Sequence, residues 1–292
     1  MIEVMRFGAP TSRSHLVVAS YNIHGCIGTD RKHDLSRIAQ VIREINPDVL
    51  GLQELHAHGV SPDPVDETRF LAAVSGFDVV PGTTFVGPRG AYGIALFSRL
   101  PILAVQRIDL HVPPREPRCA LEVDIAVDSG VIHVITTHLG LAPWERRIQV
   151  QSLTEAIVQD PSRLTVVLGD INEWFAPART LRQLGKHFGQ SSTARTWPSR
   201  RPLFALDRIW MHPPEALASV WAHNSPTARR ASDHLPLVGM IKVVQPDAPL
   251  YRRGEATETS DVDLLIEFER PVGLFHFFTV QPYLEDLLQA YL

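Results

Sequence analysis

The stretch Thr165-Val-Val-Leu-Gly-Asp170-Ile-Asn172 constrains this chain most. A short β-branched, apolar run reads as a buried strand, and here it stops at a glycine. Two polar side chains follow at once, two positions apart. In extended backbone, residues i and i+2 share a face, so Asp170 and Asn172 are expected to point the same way. Placing them at the end of a core strand costs desolvation unless they work together or bind something. Three other strands end alike: Leu16–Ser20 runs into Asn22 and His24, Val49–Leu52 into Gln53-Glu54, and Val131–Thr137 into His138. Asp207 and Asp233-His234 stand where strands begin.

The remaining pattern places these ends on a mixed α/β framework. Asp34 is positioned to cap a helix over 35–45, whose Ile38, Val41, Ile42 and Ile45 fall on one face before Asn46-Pro47 stops it. The segment 56–67 reads as an irregular loop, 68–74 as a helical turn, 77–80 as a strand and 92–98 as another apolar strand. Segments 102–110, 119–127 and 131–137 form an antiparallel series, with turn chemistry at Asp128-Ser129-Gly130. Helices are expected over 144–159 and 177–184, a surface loop over 185–205, and strands from 206, 217 and 235. The fold class is a four-layer α/β sandwich, two mixed sheets packed face to face and flanked by helices. The expected divisions are a tail at 1–15, a main domain at 16–244, a linker at 245–250 and a separate piece at 251–292.

Composition narrows the function classes. With 45 % apolar and 21 % charged residues, 292 residues can build a sizeable core without a staple. A net charge of −4 argues against a dedicated nucleic-acid binder, whose footprint is basic. Two cysteines, Cys26 and Cys119, make no disulfide framework and suggest a reducing compartment, hence a cytoplasmic location. The first residues lack the apolar stretch of a secretory signal, and no run reaches the roughly 18 apolar residues of a membrane span, so no membrane insertion is expected.

The strand-end groups Asn22, Glu54, His138, Asp170, Asn172, Asp207, Asp233 and His234 combine acidic oxygens, amides and imidazoles. That set suits a hard cation such as Mg²⁺ or Mn²⁺ rather than a Cys/His zinc site. Such an ion neutralises a phosphoryl oxygen, a carboxylate orients or deprotonates water, and an imidazole binds or protonates a phosphate oxygen.

The ordered motifs SYNIHG, GLQE, YGIALFSR, TTHLG, GDIN, LDRIW and SDHLP, spread over residues 16–244, resemble the endonuclease/exonuclease/phosphatase superfamily. The resemblance implies a metal-dependent phosphoesterase, most readily a phosphodiesterase, with nuclease and phosphomonoesterase as alternatives. It makes Glu54 the main metal ligand, with Asn22 beside it and Asp233 on the metal side. Asp170 positions the attacking water, Asn172 and His138 contact the phosphate, and Asp207 orients the catalytic His234. Tyr92 and Arg146 are carried over as substrate-binding positions, Arg146 and Gln149 also fitting a structural role. His138 matches the nuclease and lipid-phosphodiesterase branches better than the AP-endonuclease branch. The substrate is then a phosphoester in a nucleic acid, phospholipid or small molecule.

The C-terminal stretch around Ser260-Asp261-Val-Asp263 resembles minimal nucleotidyltransferases of the MNT type. Asp261 and Asp263 alternate onto one strand face, where they could hold a metal. The Gly-Ser expected before them is replaced by Pro249-Leu250-Tyr251, so the segment reads as partial and inactive. Its apolar residues, Leu264 to Phe278, are expected to bury on the main domain or in a dimer interface. The rivals are nucleotidyl transfer by this segment, and a silent scaffold that binds phosphorylated ligands.

Overall fold

The computed structural model describes residues 14–57, 67–87, 90–128, 130–156, 163–175 and 178–243. The expected tail up to 13, loop residues 58–66, Ser129, the helix end at 157–159, the helix start at Pro177, the linker and the 251–292 segment lie outside the described residues.

Two mixed sheets carry the described chain. One comprises β1 (His15–Asn22), β2 (Val49–Ala57), β3 (Asp78–Gly87), β4 (Gly90–Ser98), β10 (Leu217–Ala222) and β11 (Leu237–Lys242), in the order β10-β11-β1-β2-β4-β3. The other comprises β5 (Ile102–Asp109), β6 (Cys119–Val127), β7 (Gly130–His138), β8 (Leu164–Asp170) and β9 (Asp207–His212), in chain order. The helices are α1 (Leu35–Ile45), α2 (Glu67–Ser75), α3 (Pro143–Ala156), α4 (Arg179–Phe188) and the short α5 (Ala228–Ala231).

Strand composition explains the layering. On β1, Leu16 and Val18 join the core between the sheets, with Leu96, Leu121, Val134 and Leu168. The alternate residues Ala19 and Tyr21 pack with Ile38, Val41 and Ile42 of α1. On β8, Val166 and Leu168 face the first core, while Val167 packs with Val150 and Leu153 of α3 and Leu184 of α4. A strand covered on both faces reads as a continuous apolar run rather than an alternating one. Each fully buried aliphatic side chain contributes about 1.5–3 kcal/mol.

The helix over 35–45 forms as expected: the Asp34 carboxylate accepts the Arg37 amide at 3.0 Å, and Asn46 closes it in the left-handed region. Two elements differ from expectation. β3 runs on through Pro81 and Gly82 to Gly87, because it is an edge strand, where a proline need not break the ladder. The helix expected over 177–184 is Arg179–Phe188, so the first part of the expected loop is helical.

Topology gathers the strand ends. β1 and β2 are parallel, joined through α1, and β7 and β8 are parallel, joined through α3. Each parallel pair therefore ends on one side. β11 and β9 run antiparallel to β1 and β8 and so begin there. In register, His138 lies opposite Asp170, and Asp170 opposite Asp207, a single row across three strands.

Gly169 is required at this row. Its φ is +155°, and a Cβ there would overlap the Thr137 carbonyl oxygen, which is backbone and cannot swing away. Gly169→Ala is expected to lose about 1–3 kcal/mol. Urea denaturation, read as the midpoint at unchanged slope, checks it; an unchanged midpoint would show that the β7–β8 pair yields freely.

Candidate active site

The six-stranded sheet supplies the carboxylate at one side of the site. β2 slips its pairing with β4 between Leu52 and Leu55, and Glu54 within this bulge has φ +57°. A non-glycine residue held there costs on the order of 1–3 kcal/mol and persists only where its surroundings fix it. Asn22 Nδ2 donates to Glu54 Oε1 at 2.9 Å and to Asp170 Oδ2 at 3.0 Å. This one amide therefore joins carboxylates from both sheets. The His24 backbone amide donates to Asn22 Oδ1 at 3.0 Å. The His24 ring Nδ1 lies 3.4 Å from Glu54 Oε2 and 3.6 Å from Asp233 Oδ1.

The five-stranded sheet supplies the row. Asp207 Oδ2 is 2.9 Å from His234 Nδ1 and accepts the Thr196 hydroxyl at 2.5 Å. His234 Nε2 and His138 Nε2 each lie 3.7 Å from Asp170 Oδ2. Asn172 reaches the cluster, but not by strand extension. Its φ is +54°, its amide donates to Asp170 Oδ1 at 2.9 Å, and its Nδ2 donates to the Leu139 carbonyl at 2.9 Å. The pair thus forms an Asx-type turn, which replaces the expected shared strand face while keeping both residues in the site.

Charge states differ sharply among these groups. Burial pushes the Asp170 carboxyl up, the charge of His234 opposes this, and Asp207 adds to it. Burial pulls His234 down, but the Asp207 and Asp170 carboxylates outweigh it and raise the imidazole, so the ring is cationic at neutral pH. Burial, and then Arg118, lower His138 well below the ordinary histidine range, leaving it neutral. Burial alone would raise Glu54, yet the His24 and Asn22 hydrogen bonds hold it well below the usual carboxylate range. The Glu54 hydrogen bond raises His24, against burial.

His138 carries a surplus donor. Arg118 Nη1 approaches its Nδ1 at 3.1 Å, and Asn172 Nδ2 approaches its Nε2 at 3.1 Å. A neutral imidazole has one N–H and one lone pair, so it can accept from only one of these two. The donor it does not accept then faces the ring's own N–H, so two N–H groups on that side of the ring have no acceptor between them.

Asn22, Glu54, His138, Asp170, Asn172, Asp207, Asp233 and His234 thus come together. Tyr92 is partly buried with its ring 4.9 Å from that of His56; burial and the Glu54 charge raise its phenol, which places it on the Glu54 side. Arg146 is not drawn into the cluster. It is buried, pairing with Glu173 at 3.1 and 3.3 Å and donating to the Gly140 and Leu141 carbonyls, so it braces the turn after Asn172. Sequence reasoning gave no role in this cluster to His24, Arg118, Thr196 or Trp197. Trp197 Nε1 donates to Asp233 Oδ2 at 3.2 Å. His24 carried a signal, since it follows Asn22 by two positions; the other three are set by contacts distant in sequence.

Among the described residues, the ion-pair partners of Glu54, Asp170, Asp207 and Asp233 are all histidines: His24, His138 and His234. Four carboxylates so placed leave negative charge for a cation to neutralise, and their oxygens are ligands of the kind divalent ions take. Ligand atoms of Asp170, Asp207 and His234 also lie within 4.8 Å of one another. The short Asp207–His234 pair already commits two of those three, which favours the Asn22, Glu54 and Asp233 side for an ion.

Comparison with known proteins gives the same outline. A family profile described as the Endonuclease/Exonuclease/phosphatase family matches residues 19–234. The chain is 32% identical over 248 residues to the uncharacterized protein YbhP of Escherichia coli, covering 79% of this chain and 98% of that one. An endonuclease/exonuclease/phosphatase structure from Beutenbergia cavernae superposes with a TM-score of 0.64 at 23% identity, over 81% of this chain and 74% of that one. The human Nocturnin catalytic domain, solved with a sulfate anion, superposes with a TM-score of 0.62 at 21% identity, over 78% and 94%. A nucleotidyltransferase domain profile matches residues 251–291. There the protein adenylyltransferase MntA of Thermococcus cleftensis is 53% identical over 38 residues, 13% of this chain and 38% of that one. With its profile match spanning β2 to β10 and the row of strand-end groups, the chain belongs to the endonuclease/exonuclease/phosphatase family.

Proposed function

We propose that residues 16–244 are a divalent-metal-dependent phosphodiesterase that cleaves its substrate by attack of water on phosphorus. The observation that carries this reading is the row His138–Asp170–Asp207, with His234 seated on Asp207 and both imidazole Nε2 atoms 3.7 Å from Asp170. Asp170 receives the proton of the attacking water as the new P–O bond forms and the bond to the departing alkoxide breaks, the alkoxide taking its proton from solvent; burial raises the basicity of Asp170 for that task. His234, kept cationic by Asp207, stabilises the charge that grows on the phosphoryl oxygens. The spare donor at His138 and Asn172 takes another phosphoryl oxygen. A bound Mg²⁺ or Mn²⁺, held by Asn22, Glu54 and Asp233, would supply charge neutralisation at phosphorus and at the departing oxygen.

The wall beside Asp233 favours a diester. Trp174 packs edge to face on Trp197 and Phe204 with centroids 5.0 and 5.2 Å away, Trp197 and Phe204 are tilted at 6.1 Å, and Phe175, 6.5 Å from Phe204, is 74% exposed. A diester carries a second organic group that such a surface can hold; a monoester does not. No helix among the described residues is long and apolar enough to cross a membrane.

The test is hydrolysis of bis-(p-nitrophenyl) phosphate and p-nitrophenyl phosphate with Mg²⁺, Mn²⁺ or EDTA. Turnover is expected with either metal, lost in EDTA, and greater for the diester. Turnover that survives EDTA removes the metal from the reading; preference for the monoester removes the diesterase.

A further inference from the structure

A second cluster lies behind the active site. After β1 the backbone passes through three consecutive left-handed residues, His24, Gly25 and Cys26, at φ +49°, +55° and +60°. This tight turn takes the Cys26 side chain fully into the interior. The chain then returns as a short hairpin, with Ile27 bridged to His33 and the Asp34 amide donating to the Cys26 carbonyl at 2.9 Å. Cys26 and His33 therefore stand together at the foot of one loop. Glu67, the first residue of α2, lies against both: Cys26 Sγ is 3.6 Å from Glu67 Oε2, and His33 Nε2 is 2.8 Å from Glu67 Oε1. The sulfur, nitrogen and oxygen atoms all lie within 4.8 Å of one another.

A hydrogen-bonded trio is the simplest state of these groups without an ion. Burial, and then Glu67, push the Cys26 thiol up, so alone it stays protonated and is no nucleophile. Its ligand atoms nonetheless lie close enough together to gather round one ion. Bonds of about 2.3 Å to sulfur and about 2.0 Å to nitrogen and oxygen give edges of roughly 3.5 Å for S–O and roughly 3.3 Å for N–O. The observed separations are 3.6 Å from Cys26 Sγ to Glu67 Oε2 and 2.8 Å from His33 Nε2 to Glu67 Oε1, so a small turn of the carboxylate would bring one oxygen to both donors. The outer shell is present too: the His56 backbone amide donates to Glu67 Oε2 at 3.3 Å, fixing that carboxylate. The His33 side chain is 56% exposed, so an ion has an entry path and water can fill its fourth position.

We propose that Cys26, His33 and Glu67 form a three-ligand site for a zinc-class ion, separate from the hard-cation centre at Glu54. Soft and hard ions sort between the two sites by ligand type, thiolate and imidazole here against carboxylate and amide there. The site is structural in consequence. Cys26 is two residues from His24, which faces Glu54 and Asp233, and His56 is two residues from Glu54 itself. An ion joining Cys26 to Glu67 would pin the turn that carries His24 against the strand that carries Glu54. Binding displaces the thiol proton to solvent and involves no change of oxidation state.

The test is a Co²⁺ titration of the full chain, stripped of metal and kept in excess Mg²⁺ under reducing conditions. A near-ultraviolet thiolate-to-cobalt charge-transfer band is expected, saturating at one equivalent and bleached by Zn²⁺. Cys26→Ser should abolish the band. His33→Ala, which alters an exposed side chain and should not disturb folding, should weaken binding at least ~10-fold. Glu54→Ala and Cys119→Ser should leave the band intact. A wild-type titration without the band, a band that persists in Cys26→Ser, or unchanged affinity in His33→Ala would overturn the site.

Discussion

Asp170→Asn is expected to lower metal-dependent diester turnover by about 10³-fold, the scale of a lost general base, with little change in KM. The substitution keeps the size of the side chain, and its amide oxygen can still accept from one of the two donors, Asn22 Nδ2 or the Asn172 N–H, so the loss reports on proton acceptance rather than collapse. Stability should move the other way. Burial raises the Asp170 carboxyl above its unfolded value, so the native state binds the proton more tightly than the unfolded chain. Stability therefore falls as pH rises through that window, and the ionised group is a net cost above it. In metal-free buffer at neutral pH, Asp170→Asn should melt at or above the wild-type temperature. Near-wild-type turnover would sink the mechanism, and a large drop in melting temperature would mean that Asp170 is mainly structural. Asp170→Ala and His234→Ala should likewise remove nearly all activity with the fold retained.

Asp207→Asn is expected to cost about 10²–10⁴-fold in kcat, because the carboxylate that fixes the His234 tautomer and charge is gone. A pH profile separates this from simple misfolding. His234 is raised by Asp207, so in the wild type its cationic form persists well above neutrality. Without Asp207 the alkaline limb of the profile should move to lower pH. The linkage sign is the reverse of that for Asp170. A histidine raised in the folded state contributes stability that is complete below its unfolded value and lost as pH rises through the folded one. Asp207→Asn should flatten that alkaline loss. An unshifted alkaline limb would show that His234 takes its charge from another source.

Much of this was readable before the fold was known, and the rest was hidden for definite reasons. The apolar runs of β1 and β8 announced strands covered on both faces, and polar groups at their ends announced the site. Register was not readable: that His138, Asp170 and Asp207 share one row depends on pairing between strands far apart in the chain. Pro81 and Gly82 look like punctuation, yet β3 passes through them because an edge strand tolerates both. Thr196 and Trp197 looked like members of a surface loop. Their bonds to Asp207 and Asp233 span 11 and 36 residues, beyond any local pattern. Asn172 comes beside Asp170 by a turn and not by the expected extension, since either geometry brings the same side chain to the same neighbourhood.

The amide bridge from Asn22 to Asp170, and the ion pair from His234 to Asp207, both cross the seam between the two sheets. One sheet carries the row of His138, Asp170 and Asp207, the other carries Asn22, Glu54 and His234, and only docking brings the two sets together. The centre is therefore a gauge of how the sheets are docked, and the apolar filling at Val18, Leu121 and Leu168 sets its calibration from a distance. A compact state that kept its strands but loosened this filling would retain secondary structure and lose the site altogether. Under the proposed function, turnover would be a stricter report of native packing than any spectrum of the backbone.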